Sequence, residues 1–401
     1  MKLDKEKRTT ALTVVLSFLM VMTALGFCSS PRSLYVVPVS TALGIGRSVY
    51  AVTDTIRFVT TAVVNLFFGS LVTRFGAHRM IGVGFLSLFL FALLSALAPG
   101  VALLYVAFFF LGVGLTFTST AMVGYVVARR VPKSRGTVMG AVLAANGIGG
   151  AIATQMVNSL ITPEEIFSYR KAYFAVAIVI LVVGTLLVAF FRDGDAPEAE
   201  KAAAASASNA PAARPSLPLF LTVAVCIFST GLVLQGVTGV AAAHMTDEGL
   251  DKNFIATVLS LHSLAITGSK ILHGILYDRF GLRLCTALAM GASVLVMIIL
   301  ITVAAAPVAL ALAYAVIAAL AIPLETVMIP IYTREFFGDA NFAKTLGIFV
   351  SINTAGYALG APLINLSYDV FGSYTVAFVG SAILMGGVLI AMQTAISHKR
   401  K

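Results

Sequence analysis

Twelve runs of about 20 or more mostly apolar residues follow one another along the chain, and no other feature limits its fold so tightly. Cut at proline, glycine and charge clusters, they cover 10–41, 48–73, 77–98, 100–128, 136–161, 170–191, 217–245, 253–277, 283–304, 307–333, 342–368 and 373–396. At ~1.5 Å of rise per residue, about 20 residues of helix cross the ~30 Å hydrocarbon layer of a bilayer. Barrel strands alternate in polarity and need only about 10 residues, whereas these runs are longer and evenly apolar. The expected fold is an all-α integral membrane bundle of twelve transmembrane helices. Composition agrees, with 59% of the 401 residues hydrophobic and 11% charged. A soluble domain carries about 25% charged residues to face water, so this surface must face mostly lipid.

The net charge of +10 invites a nucleic-acid reading, but the positions of the charges exclude it. With the N-terminus inside, the cytoplasmic segments hold 20 of the 27 Lys and Arg, among them Lys2, Lys5, Lys7, Arg8, Arg129, Arg130, Lys133, Arg135, Lys399, Arg400 and Lys401. The outer loops hold Arg47, Arg170, Lys171 and Lys252. This bias is the positive-inside rule, and it predicts a multi-pass membrane protein with both termini cytoplasmic. The basic N-terminus leads into a long apolar run without a small-residue cleavage site, so a retained first helix is expected. Cys28, Cys226 and Cys285 are odd in number and lie in apolar runs. They read as small core residues, with no metal site or cofactor implied.

Residues 193–216, DGDAPEAEKAAAASASNAPAARPS, form the one extended polar stretch. Ala, Ser and Pro with mixed charge cannot bury a core, which predicts a flexible cytoplasmic linker between six-helix bundles at 1–192 and 217–401. The halves repeat. GSLVTRFG, from Gly69 to Gly76, returns as GILYDRFG, from Gly274 to Gly281, at an offset of 205. That offset pairs Gly26 with Gly231, Arg57 with His262 and Asn65 with Lys270. Later the offset is 207, pairing Gly140, Asn146, Gly149 and Asn158 with Gly347, Asn353, Gly356 and Asn365. Parallel six-helix repeats mark a transporter, with its site near the midplane between them.

At these residues the chain resembles the major facilitator superfamily. The loop motif of that superfamily, Gly-x-Leu-x-Asp-Arg-x-Gly-x-Arg, is approached by Gly274, Asp278, Arg279, Gly281 and Arg283. The first half has Gly69, Leu71, Arg74, Gly76 and Arg79, with Thr73 where the Asp belongs. A carboxylate and guanidinia at helix ends can latch the halves on the cytoplasmic side, which makes Arg74, Asp278 and Arg279 the candidate conformational latch. Within the superfamily the chain is similar to the monocarboxylate transporter family and its bacterial relatives of the oxalate–formate exchanger type. Pro31–Arg32 resembles a Pro–Lys pair whose cation lies on the substrate path. Lys270 stands where the family has an arginine that pairs the substrate carboxylate, and GYALGAPLINLSYDVFGSY, from Gly356 to Tyr374, is similar to the family's helix 11 and following loop. Ile266 stands where the family often carries an Asp.

Few ionisable groups interrupt the apolar runs: Arg32, Asp54, Arg57, His262, Lys270, His273 and Glu325. Lipid cannot solvate them, so they are expected to face the bundle interior or a water-filled path. Arg32 follows Pro31, whose ring removes a backbone bond and can bend the helix inward; the alternative is snorkelling to the headgroups. Lys270 lies about 12 Å of helix from Asp278, too deep to snorkel with ease. Asp54 and Arg57 are three apart on one helix face. They read either as a locked ion pair or as a proton site released when Arg57 turns to a substrate. His262 should line the same cavity as Arg57 or be a hydrogen-bonded core residue. Glu325 either ties its helix to a neighbour or balances Lys270. Asn146 and Asn353 offer amides to a substrate or to helix crossings.

The substrate-binding set is thus Arg32, Arg57, Lys270, His262 and Asn353, with Asp54 and Glu325 as proton-coupling candidates. The function expected is secondary active transport of a small monocarboxylate-type organic anion by a monomer, coupled to protons or to a counter-anion. An efflux pump for amphipathic compounds is the alternative. No GxSxG, HExxH, P-loop or GxGxxG motif is present, and an enzyme is not expected.

Overall fold

The computed structural model describes residues 2–130, 135–162, 164–191, 217–338 and 342–399. Helices make up nearly all of them, and no strand occurs among the described residues. The linker expected at 193–216 lies outside them.

The first span opens with α1 (Lys2–Val21), changes to a π-helical turn at Met22–Phe27 and a 3₁₀ turn at Ser30–Tyr35, and resumes as α2 (Val36–Leu43). Pro31 opens the 3₁₀ turn, because its ring has no N–H to give an α-helical bond. Next come α3 (Arg47–Phe75), α4 (Ala77–Leu97), α5 (Val101–Thr118), α6 (Thr120–Arg130), α7 (Arg135–Leu160) and α8 (Ser168–Phe190). Then follow α9 (Leu217–Asp247), α10 (Lys252–Thr302), α11 (Pro307–Ala321), α12 (Pro323–Thr326), α13 (Met328–Phe337), α14 (Phe342–Phe371) and α15 (Thr375–Lys399).

Eleven stretches among the described residues are long and apolar enough to cross a membrane, and one of them, Lys252–Ala305, has 54 residues. At ~1.5 Å per residue that stretch is more than twice as long as the ~30 Å layer, so it makes two crossings. Its break falls at Gly281, with φ 77° and ψ −178°. Gly76, its repeat partner, separates α3 from α4 at φ 84°. A left-handed φ is costly for any residue with a Cβ, which is why both copies of the motif end on glycine. The described residues therefore hold helix enough for the twelve crossings read from the sequence.

The helices form two compact units. Met1–Gly44 with Val59–Ser206 makes the first, and Ile45–Phe58 with Ala207–Lys401 the second. The opening of α3 thus belongs with the later half, although its position in the chain places it with the first. Large apolar side chains such as Leu66, Ile178, Ile383 and Ile390 are exposed and suit a lipid-facing surface.

Candidate functional site

In the second unit, Asp54 and Arg57 face each other one turn apart on α3, with Nη2 to Oδ1 at 3.0 Å. Their side chains are 12% and 4% exposed. The Arg57 guanidinium also lies 4.1 Å from the ring centre of Phe58. A charge so removed from water persists only with a partner, and here the intrahelical pair is formed.

Two further sequence candidates share this unit. Lys270 on α10 feels the negative charge of Glu325, which sits in the one-turn helix α12 directly after Pro323. Both are half-buried. The short helix follows from Pro323, which cannot continue the bonding of α11 and so resets the backbone beside α10.

His262 is buried, with Nδ1 3.1 Å from the Ala315 carbonyl and its ring beside Tyr314. A carbonyl only accepts, so Nδ1 carries the hydrogen. His273 is fully buried and donates in the same way to Ser269 O at 2.9 Å. Asn353 donates from Nδ2 to Ile227 O at 3.1 Å, a bond from α14 to α9. Arg57 and His262, paired by the repeat, both belong to the second unit.

The first unit holds Arg32, half-buried on the 3₁₀ turn beside Pro31. It also holds Asn146, whose buried Oδ1 has no hydrogen-bond partner among the described residues. Of the cytoplasmic latch candidates, Arg74, Asp278 and Arg279 are all exposed. The sequence thus spreads its candidates widely, and the structure gathers Asp54, Arg57, His262, Lys270, Glu325 and Asn353 into one unit.

A second polar centre in that unit escaped the sequence reading. Arg47, the first residue of α3, grips Asp247 at the end of α9 with two bonds of 2.5 and 2.8 Å. Its guanidinium lies 3.6 Å from the ring centre of Tyr368 and donates to the Tyr374 hydroxyl at 3.1 Å. That hydroxyl donates to Asn365 Oδ1 at 3.0 Å, and Asn365 donates to Ala361 O at 2.8 Å. Burial pushes the Tyr374 phenol up from its ordinary range against the pull of Arg47, so it stays a neutral donor. The Asp369 carboxylate accepts the backbone N–H groups of Arg47 and Ser48 at 3.0 and 2.9 Å. It caps α3 from another helix, where N–H groups would otherwise lack partners. Beside it, His244 is buried against Leu300 O at 2.7 Å and meets the Tyr374 and Phe378 rings edge-on. The available signal was the run SYDVFGSY at 367–374, which brings two tyrosines and an Asp to one helix end.

A family model described as Major Facilitator Superfamily matches residues 9–238 and again 219–400, one match per half. The chain belongs to the major facilitator superfamily. It is a membrane transporter and not an enzyme. Among solved structures, the nucleoside transporter NupG matches with a TM-score of 0.74 at 12% identity, over 97% of this chain and 99% of that one. The D-xylose-proton symporter matches with a TM-score of 0.69 at 15% identity, over 96% and 95%. A bacterial homologue of the human lysosomal transporter Spinster, in an inward-facing and unoccupied conformation, matches with a TM-score of 0.69 at 12% identity, over 98% and 94%. At such identities these are likenesses of fold. No curated protein is a significant match to the sequence.

Proposed function

We propose that this superfamily member carries a small monocarboxylate-type organic anion across the bacterial inner membrane by alternating access, coupled to protons, with both termini cytoplasmic. The observation that carries the reading is the buried Asp54–Arg57 pair, a cation held against a carboxylate in the same unit as Lys270 and Glu325. An organic carboxylate can take the place of either internal one. Arg32, half-buried behind Pro31, supplies a first positive charge on the path. The substrate then draws Arg57 from Asp54, whose freed carboxylate is the site offered to the coupled proton. Passage to Lys270 repeats the exchange with Glu325. A lysine there acts as a point charge and tolerates several orientations of the substrate. His262 and Asn353 border this route, and their bonds to Ala315 O and Ile227 O hold the helices that frame it. Arg74, Asp278 and Arg279 hold the cytoplasmic side in the alternate state. The protein works as a monomer, each chain containing a whole path.

The test is uptake of labelled lactate, pyruvate, formate and oxalate into proteoliposomes, with and without an inward proton gradient. Gradient-stimulated uptake that falls at least tenfold in Arg57→Gln and Lys270→Gln supports symport, since loss of a buried charge–charge contact costs several kcal/mol. Uptake that instead requires anion inside the vesicles would make the protein an exchanger. Failure of all four anions in folded protein would sink the carboxylate reading, and amphipathic compounds would be tried next.

A further inference from the structure

The contacts of α3 in the second unit form a continuous seam along one face. Arg47 and Ser48 meet Asp369, Thr55 Oγ1 donates to Ala358 O, and the Phe58 ring lies 5.0 Å from that of Tyr357. The partners descend along α14 as α3 ascends, so the two segments run antiparallel. Positions 47, 55 and 58 are spaced as one helical face. Asp54 and Arg57 lie in the same turn as Thr55 and Phe58, and both are buried. Of α3, the part up to Phe58 belongs to the second unit, and from Val59 onward it belongs to the first.

We infer that Arg47, Asp247 and Asp369 form an outer latch that holds this seam shut over Asp54 and Arg57, and that the latch must open before a substrate from outside meets them. The inference rests on the proposed topology, which puts the start of α3 outside. At the rim the latch has a two-bond guanidinium–carboxylate contact, a ring stack and a helix cap. The Thr55 hydroxyl bond and the Phe58–Tyr357 ring contact continue the seam inward. Arg47 is a positioning residue: it touches no substrate and sets which side of the Asp54–Arg57 pair is covered. Gly46 gives an independent handle, because a Cβ there would lie 2.7 Å from Asp369 Oδ2 and displace the capping carboxylate without removing any charge.

The experiment places a single reporter, Ala358→Cys, in the seam of the full-length chain. Ala358 is 6% exposed, and the native Cys28, Cys226 and Cys285 are buried and give a low background. A membrane-impermeant maleimide is applied to intact cells and, separately, to inverted vesicles. In intact cells the reporter is expected to label roughly tenfold faster with Arg47→Ala, given the cost of breaking a buried charge pair. Arg47→Lys should fall between, since it keeps the charge and loses the fork. Gly46→Ala should accelerate labelling about threefold, and it carries the test should Arg47→Ala not fold. Unchanged rates from both sides in folded Arg47→Ala and Gly46→Ala overturn the latch. Acceleration in inverted vesicles alone overturns its outward placement. No substrate is added, so acceleration in cells supports the latch even where every carboxylate fails in the uptake assay.

Discussion

In the first unit the stretch Met22–Phe27 crosses α7 where Gly26 meets Gly149, and a Cβ on Gly26 would lie 2.6 Å from the Gly149 carbonyl carbon. In the second, α9 crosses α14 where Gly231 meets Asn353, at 2.5 Å for the same added atom, and Gly356 meets Phe228. The repeat pairs Gly26 with Gly231 and Gly149 with Gly356, so the same crossing is present twice. Small residues make it because lipid tails are as apolar as leucine, and close backbone approach is what holds helices together in a bilayer. The backbones differ all the same. Around Gly26 the helix widens into a π turn and then tightens into a 3₁₀ turn at Pro31, whereas α9 runs unbroken for 31 residues. Irregular backbone at membrane depth survives only where protein or water covers it, and here Thr23, Ala24, Gly26, Phe27, Pro31, Ser33 and Tyr35 are all buried. The second crossing is a rigid joint, and the first is one whose geometry can change.

The largest effect expected from this difference comes from adding a methyl group to each crossing. Gly356→Ala forces α14 against the continuous backbone of α9, with no softer direction to yield, and should cost about 3 kcal/mol, the upper part of the range for overpacking. Gly149→Ala meets Met22, at the start of the irregular turn, and the π segment can shift to accept it, for about 1 kcal/mol. Thermal unfolding in detergent should show a clearly greater loss for Gly356→Ala. Equal losses would mean that the first crossing is as rigid as the second.

Next in size is Pro31→Ala. Alanine restores the missing N–H and lets the first span become regular, which should raise thermal stability by about 1 kcal/mol. If bending at this turn serves transport, uptake should fall about tenfold, a change of 1.4 kcal/mol in the barrier. A variant that is more stable and equally active would make the irregular turn an accident of packing.

Some of this could be read from the residues and some could not, for physical reasons. The crossings and the Asp54–Arg57 contact are local features: hydropathy over about 20 residues, or three residues of helix. The glycine pairing was legible because the two halves carry it at a fixed offset. Arg47 was counted only as a charge in an outer loop, since its partners Asp247 and Asp369 stand 200 and 322 residues away. Nothing local marks so distant a pair. Pro31 announced a bend in the first span, but a π turn before it depends on how closely Gly149 approaches, which is tertiary. His244 went unnoticed because its bond to Leu300 O is also made across the fold.

The smallest effect separates the two asparagines of the repeat. Asn353 spends its amide on Ile227 O, so Asn353→Ala leaves that carbonyl without its side-chain donor and should cost about 1 kcal/mol. Asn146 holds the matching place in α7, yet its buried Oδ1 has no hydrogen-bond partner among the described residues. Its removal deletes a polar atom that gains nothing from the fold, so Asn146→Ala should leave thermal stability within about 0.5 kcal/mol of the parent. The comparison is sharpest when both variants are unfolded side by side in one detergent. A loss at Asn146 as large as that at Asn353 would mean that the first crossing also depends on an asparagine bond, and that its freedom to rearrange is no greater than that of the second.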